Sequence, residues 1–342
     1  MSGVTGAQGS IRLPMADCHN DLLIGCLHQR ERGHADPFGD FWLPQLRAGG
    51  VVLQVLPTFI EEQWVGEGAL RRTLLMLEEA WRIADMHPAD VAICLTGADI
   101  ERTIASGRIA LVLALEGSEG IGRDMEVMRS LHRVGVRMIS MAWNRRTMMA
   151  DGVGEKDTGG RLTTVGVEAV AEMERLGIVL DISHLSEAGF WHVAEIATRP
   201  FVASHSSCRA LQGHPRNLTD DQLRAIATAG GFVALNAFGP FLSDDPGPAD
   251  LVRHAAHAAG ILGAGSVALG MDYMLDLAHT VDPILGRALV RIDEIPYPQG
   301  LRRPDELQGI ADLLIEALGE QDAALIASGT MRAHLSRLLP TG

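Results

Sequence analysis

Short, continuous apolar runs recur along the whole chain, and stretches with apolar residues spaced three and four apart separate them. A run of four to eight apolar residues bounded by polar ones reads as a strand buried on both faces. Such runs predict strands at 14–19, 50–57, 109–116, 136–143, 178–184, 200–205, 231–236 and 266–272. The clearest helical spacing covers 68–86, where Leu70, Leu74, Leu77, Trp81 and Ala84 share one face. Residues 123–134, 164–176, 186–197 and 219–229 repeat that spacing, with Thr219 as an N-cap before Asp220-Asp221. Strands alternating with helices predict a parallel sheet with right-handed crossovers. Eight such units favour an α/β fold closed into a single (β/α)8, TIM-type barrel over an open doubly wound sheet.

No internal repeat or low-complexity linker divides the chain, so 1–342 reads as one barrel domain. Residues 1–13 form a lead-in, the proline-bearing segment 276–304 a long loop near the barrel mouth, and 305–338 helices that close the outer ring. The glycine-rich run 260–270 leads into a strand instead of following one, which removes a dinucleotide-binding reading.

Composition narrows the classes. At 342 residues with 47% hydrophobic content, the chain can bury a large core. With 29 Lys+Arg against 43 Asp+Glu, the net charge of −14 disfavours nucleic-acid binding, which needs clustered cations. Met1–Pro14 carries one Arg and no apolar core of a secretory signal, and no run reaches the eighteen apolar residues of a membrane span. The tail Leu338-Leu339-Pro340-Thr341-Gly342 is too short for a lipid-anchor signal. Cys18, Cys26, Cys94 and Cys208 show no metal-binding or redox spacing and read as reduced thiols. The expectation is a soluble, cytoplasmic protein with no membrane or nucleic-acid partner.

Five of the apolar runs end on metal-capable residues: Asp17-Cys18-His19-Asn20-Asp21, Glu116, His184, His205 and Asp272. One such ending is ordinary; five in order suggest a shared site, because the strands of a barrel converge at their carboxyl ends and that face carries the chemistry. His19 and Asp21, two apart on an extended strand, point the same way and suit one ion. Glu116 can bridge two ions through its two oxygens, and His184 and His205 supply imidazoles for the second. Nitrogen and oxygen donors without thiolate fit two Zn²⁺, with Mn²⁺ or Co²⁺ as substitutes. Such a pair lowers the pKa of a shared water and polarises a carbonyl, while Asp272 takes the proton and delivers it to a leaving amine. The plain alternatives are a small buried role for Cys18 and Cys208, and surface or helix positions for His87, His132, His254 and His334. Arg216 reads either as a surface ion pair or as a fork that holds a carboxylate.

These residues resemble the membrane (renal) dipeptidase family of the amidohydrolase superfamily. The likeness rests on Asp17-Cys18-His19-Asn20-Asp21, Leu115-Glu116-Gly117, Asp181-Ile182-Ser183-His184-Leu185-Ser186 and Ser204-His205-Ser206-Ser207. Arg216-Asn217-Leu218 and Gly270-Met271-Asp272-Tyr273 complete an ordered set that spans 14 to 338. The resemblance implies a barrel with two zinc ions that hydrolyses free dipeptides, often with a C-terminal D-residue, and in some members opens β-lactams. It implies His19, Asp21, Glu116, His184 and His205 as metal ligands, Asp272 as the catalytic proton carrier and Arg216 as the carboxylate binder. The chain departs from the family pattern at three places: Trp143 stands where many members have a substrate-contacting His, Met274 replaces a second Asp, and Ser328-Gly329-Thr330 replaces Gly-Gly-Asn. Trp143 therefore marks a changed substrate contact. Barrels of this kind often pair, so a homodimer is allowed, though no sequence signature marks one. The alternatives are an amidohydrolase for another small amide or lactam, and a barrel that only binds.

Overall fold

A computed structural model of the chain describes residues 12–277, 281 and 297–341; most of the loop expected at 276–304 and most of the lead-in lie outside them. Nine parallel strands are described: β1 (Met15–Asp17), β2 (Val51–Phe59), β3 (Val91–Ile93), β4 (Ile109–Glu116), β5 (Val136–Ser140), β6 (Val179–Asp181), β7 (Phe201–Val202), β8 (Val233–Leu235) and β9 (Val267–Leu269). The helices between them are α1 (Leu22–Glu31), α2 (Leu43–Gly49), α3 (Ala69–Met86), α4 (Gly97–Ala105), α5 (Met125–Val134), α6 (Thr164–Leu176), α7 (Glu187–Ile196), α8 (Asp220–Thr228) and α9 (Pro248–Leu262). Three more follow: α10 (Leu307–Leu318), α11 (Glu320–Ala324) and α12 (Thr330–Leu338).

The sheet runs β1-β2-β4-β5-β6-β7, and β8 pairs with β9. Ala234 N donates to Ala203 O at 2.8 Å, joining β8 to the end of β7, and Cys18 N donates to Leu269 O at 2.8 Å, joining β1 to β9. The eight expected staves thus close into a ring. The ninth strand, β3, is additional: it pairs Val91–Ile93 with the first half of β4, and β5 takes over that edge from Leu113 onward. Three residues are too few to carry a period, so this strand was not expected from the sequence.

Burial explains the closure. Alternate residues of every stave, including Ala16, Val55, Val112, Met138, Val179, Val202, Ala234 and Ala268, form one cluster that fills the barrel. The residues between them, such as Leu111, Leu113 and Leu115, belong to the larger cluster shared with the helices. Glu116 has the parity of Ala110, Val112 and Ala114, so it points inward at the mouth. The last helix does not join the outer ring as expected. Its Met331 and Leu335 join the interior cluster, Arg337 Nη2 donates to Gly230 O at 2.9 Å, and Leu338 O accepts from Arg199 Nη2 at 3.0 Å. Those contacts lie before β8 and β7, so α12 covers the barrel floor. The Thr219 cap is present, with its hydroxyl accepting from Gln222 N at 3.2 Å.

Within the glycine-rich run, Gly270 is explained by packing. A Cβ on Gly270 would sit 1.8 Å from the Ser204 carbonyl oxygen, so the chain beyond β9 can approach β7 this closely only without a side chain.

Candidate metal centre

His19, Asp21, Glu116, His184, His205 and Asp272 come together at the mouth, each 8% exposed or less. Only Glu116 lies inside a strand. His19 and Asp21 sit in the turn that enters α1, with Asp21 at the helix N-terminus, so the extended geometry expected for them is absent. The turn still brings them within reach, His19 Nε2 lying 3.7 Å from Asp21 Oδ2. Asp17 Oδ1 holds it in place by accepting from His19 N at 3.2 Å and from Met271 N at 2.8 Å. One buried carboxylate therefore ties the β1 turn to the segment that bears Asp272. Burial raises the Asp17 pKa to about 6 despite these donors.

The two oxygens of Glu116 face different groups. Oε2 lies 3.6 Å from His19 Nε2, while Oε1 lies 2.9 Å from His184 Nε2 and 3.4 Å from His205 Nε2. Ligand-capable atoms of His19, Glu116 and His205 lie within 4.8 Å of one another, as do those of His19, Asp21 and Asp272. Asp272 Oδ1 is 3.9 Å from His19 Nε2, and its Oδ2 accepts from Asn236 Nδ2 at 2.9 Å.

Hydrogen-bond partners decide whether an ion fits. Asn144 Oδ1 lies 2.8 Å from His184 Nδ1 and, as an acceptor, assigns the proton to that nitrogen. Asp181 Oδ2 accepts from Ser204 Oγ at 2.5 Å, which leaves Ser204 Oγ to accept from His205 Nδ1 at 2.7 Å. Both Nε2 atoms then present lone pairs, yet they stand 2.7 Å apart. Burial, aided by the Arg216 charge, lowers the His184 pKa to about 3, and burial followed by His19 lowers that of His205 well below its usual value. A shared proton is therefore disfavoured, and a divalent cation is the group that suits two converging lone pairs beside a carboxylate. His19 Nε2 has no hydrogen-bond partner among the described residues. The donor set fits a metal.

Charge is compressed here. Burial pushes His19 toward its neutral form, but Glu116 and Asp21 outweigh it and hold the imidazole pKa well above the usual value. Burial, with the neighbouring Asp21 and Glu116 carboxylates, lifts Asp272 to about 7. No cysteine joins either ligand group among the described residues. Burial raises the Cys18 thiol well above its usual range and the Cys208 thiol to about 12. His254, on α9, is fully buried, its Nδ1 accepting from Cys208 N at 2.9 Å.

Arg216 is buried and not a surface ion pair. Its Nη2 donates to His205 O at 3.1 Å, its guanidinium lies 5.6 Å from the Phe241 ring centre, and its Nε has no partner among the described residues. Burial lowers its pKa to about 10, which leaves it charged at neutral pH. Trp143, half-buried after β5, has its ring centre 5.7 Å from that of His184. The supporting roles of Asn144, Asp181, Ser204 and Asn236 were not read from the sequence. Asp181 and Ser204 had a signal, as polar residues next to the ligands at strand ends, whereas Asn144 and Asn236 had none.

A barrel whose mouth gathers three imidazoles and three carboxylates defines a metal-dependent hydrolase. The chain belongs to the membrane dipeptidase family (peptidase family M19), whose sequence model matches residues 10–282, and is an enzyme of this metal-dependent dipeptidase class. It is 38% identical over 193 residues to an uncharacterised protein encoded 5′ of pqqA in Klebsiella pneumoniae, covering 53% of this chain and 71% of that one. It is 29% identical over 283 residues to the dipeptidase aclJ of Aspergillus oryzae, covering 77% of this chain and 67% of that one. Among solved structures, the metallopeptidase named dipeptidase AC is 27% identical with a TM-score of 0.84, over 97% of this chain and all (100%) of that one. A metallopeptidase from Rhodobacter sphaeroides, solved with a phosphinate mimic of L-Ala-D-Ala, is 26% identical with a TM-score of 0.81, over 96% of this chain and 100% of that one.

Proposed function

We propose that the chain is a binuclear zinc dipeptidase that hydrolyses free dipeptides, with 1–342 as one catalytic barrel. The observation that carries this reading is the pair of bare imidazole nitrogens facing each other across Glu116 Oε1, with His19 on the other carboxylate oxygen. His19 and Asp21 hold one ion, His184 and His205 the other, and Glu116 spans both. Bound there, a pair of divalent ions makes hydroxide available near neutral pH and polarises the scissile carbonyl. Zinc suits the nitrogen and oxygen donors, and Mn²⁺ or Co²⁺ can substitute.

Asp272 moves the proton. Asn236 occupies its Oδ2, so Oδ1, which faces His19, is the oxygen that takes the proton and passes it to the leaving amine. A carboxylate can both accept and return a proton, which suits both halves of that task. Arg216 binds the C-terminal carboxylate through the edge that its Nε leaves free, which restricts the enzyme to short substrates. Trp143 lines the substrate side. A C-terminal D-residue belongs to this proposal, supported by the mimic bound to the Rhodobacter relative. No described helix is long and apolar enough to cross a membrane, and the four free cysteines support a cytoplasmic location.

Arg216→Met tests the substrate class. The variant should keep its metal content and lose about 2–5 kcal/mol of transition-state binding for free dipeptides, roughly 30- to 5,000-fold in kcat/KM. Dipeptide amides should be poor substrates before and after the change. Equal hydrolysis of acid and amide by the wild type would instead favour a hydrolase for another small amide or lactam.

A further inference from the structure

Across the mouth from Arg216 stands an aromatic wall. In the β2–β4 pairing Leu53 faces Ala110, Val55 faces Val112 and Phe59 faces Glu116, so Phe59 shares the inward parity of the bridging carboxylate. Trp143 follows β5, which flanks β4 on its other side. The Phe59 and Trp143 rings meet edge to face with centres 5.3 Å apart, above the end of the strand that carries Glu116. Beside them the Arg145 guanidinium lies 5.7 Å from the Phe59 ring centre and 5.3 Å from that of Trp143. Its charge is engaged by Glu119 at 2.8 Å, by Glu62, and by Ile60 O at 2.7 Å. The Arg145 charge is thus occupied, and the wall meets the site through the Trp143 ring, whose centre lies 5.7 Å from that of His184.

Order around the rim sets which part of a substrate meets this wall. Arg216 follows β7 and touches His205; His184 follows β6; Trp143 follows β5. A dipeptide is at most about 7 Å long when extended. Anchored by its carboxylate at Arg216, it crosses His205 and His184 and brings its N-terminal residue toward β5. We propose that the Phe59–Trp143 wall is the subsite for the side chain of the N-terminal residue and selects a large apolar or aromatic one. The inference rests on the dipeptidase reading above. Its physical basis is that an indole accepts no hydrogen bond and donates only one, so a polar side chain regains at most one of the hydrogen bonds it loses to water there, while an apolar one buries surface against two rings.

The test compares two dipeptides that share a C-terminal residue and differ in the first, Phe against Ala, with the zinc-loaded protein. The wild type should prefer the Phe substrate by about tenfold or more in kcat/KM, and phosphinate mimics of the two should show the same order in Ki. In Trp143→Ala both ratios should fall to near one while metal content stays at the wild-type level. Trp143→Phe, which keeps an aromatic face, should retain most of the preference and serves if the alanine variant folds poorly. A wild-type ratio near one, or a ratio unmoved in Trp143→Ala, overturns the subsite. If the wild type turns over neither dipeptide, the dipeptidase reading fails, a different result from equal turnover of both.

Discussion

His184 and Asp272 both adopt left-handed backbone conformations, with φ of +70° and +58°. A residue with a side chain pays of order 1–3 kcal/mol for such a conformation, and it persists only where the surroundings enforce it. Here they do. His184 O accepts from Val153 N at 2.7 Å and its ring is held by Asn144, while Asp272 N donates to His19 O at 2.9 Å. The strain falls on residues of the candidate metal centre, where the orientation of a side-chain donor atom would matter more than local comfort. The partner of His205 matters in the same way. Through Ser204, the Asp181 carboxylate fixes the His205 ring and raises its basicity toward an ion. Ser204→Ala should weaken binding of the ion at His184 and His205 about 10- to 100-fold. The ion at His19 and Asp21 should be affected less. Competition with a chromophoric chelator would show two affinities that separate in the variant; an unchanged pair of affinities removes the relay.

Between elements, long-range ion pairs join the outer helices. Glu172 of α6 accepts from Arg129 Nε of α5 at 2.6 Å and from Arg175 Nη2 of its own helix at 2.7 Å. The Arg175 hydrogen bond, aided by Arg129, overcomes burial and holds the Glu172 carboxyl at about 2, against an ordinary 4.5. The sign follows from linkage: a depressed folded-state pKa stabilises fully above the unfolded value near 4.5 and stops contributing as pH falls toward 2. Glu172→Gln should therefore lower Tm at pH 7. The gap to wild type should shrink steadily as pH falls below about 4.5. A gap that stays constant from pH 7 to 3.5 would show that the pair acts by packing alone.

At the scale of the whole molecule, the metal cluster draws on the ends of β1, β4, β6, β7 and β9, which meet only when the ring is closed. Ions bound there would stabilise the closed barrel over the unfolded chain, in which these residues are scattered. At a hundredfold excess over Kd each ion adds about 2.7 kcal/mol, worth roughly 4 °C in Tm for a chain of this size. Stripping the protein with a chelator should lower Tm by at least that much, and adding back Zn²⁺ should restore it. A calorimetric Tm indifferent to chelation would mean that the cluster holds no ion.

The order of elements was legible in the sequence because an apolar run closed by a polar residue is a local signal. It requires no knowledge of distant contacts, and it located all eight staves together with Glu116, His184, His205 and Asp272 at or just past their ends. Barrel topology then made convergence of those ends a consequence of strand order. What remained hidden depends on distances between residues far apart in the chain. Asn144 meets His184, Asp17 meets Met271, and Phe59 meets Trp143 only after the ring closes. The burial of Arg216, the placement of α12 under the floor, and the short strand β3 also follow from packing and not from periodicity. Residue type and order along the chain named the candidate metal-binding groups. Only the tertiary structure set two imidazole nitrogens 2.7 Å apart beside the Glu116 carboxylate.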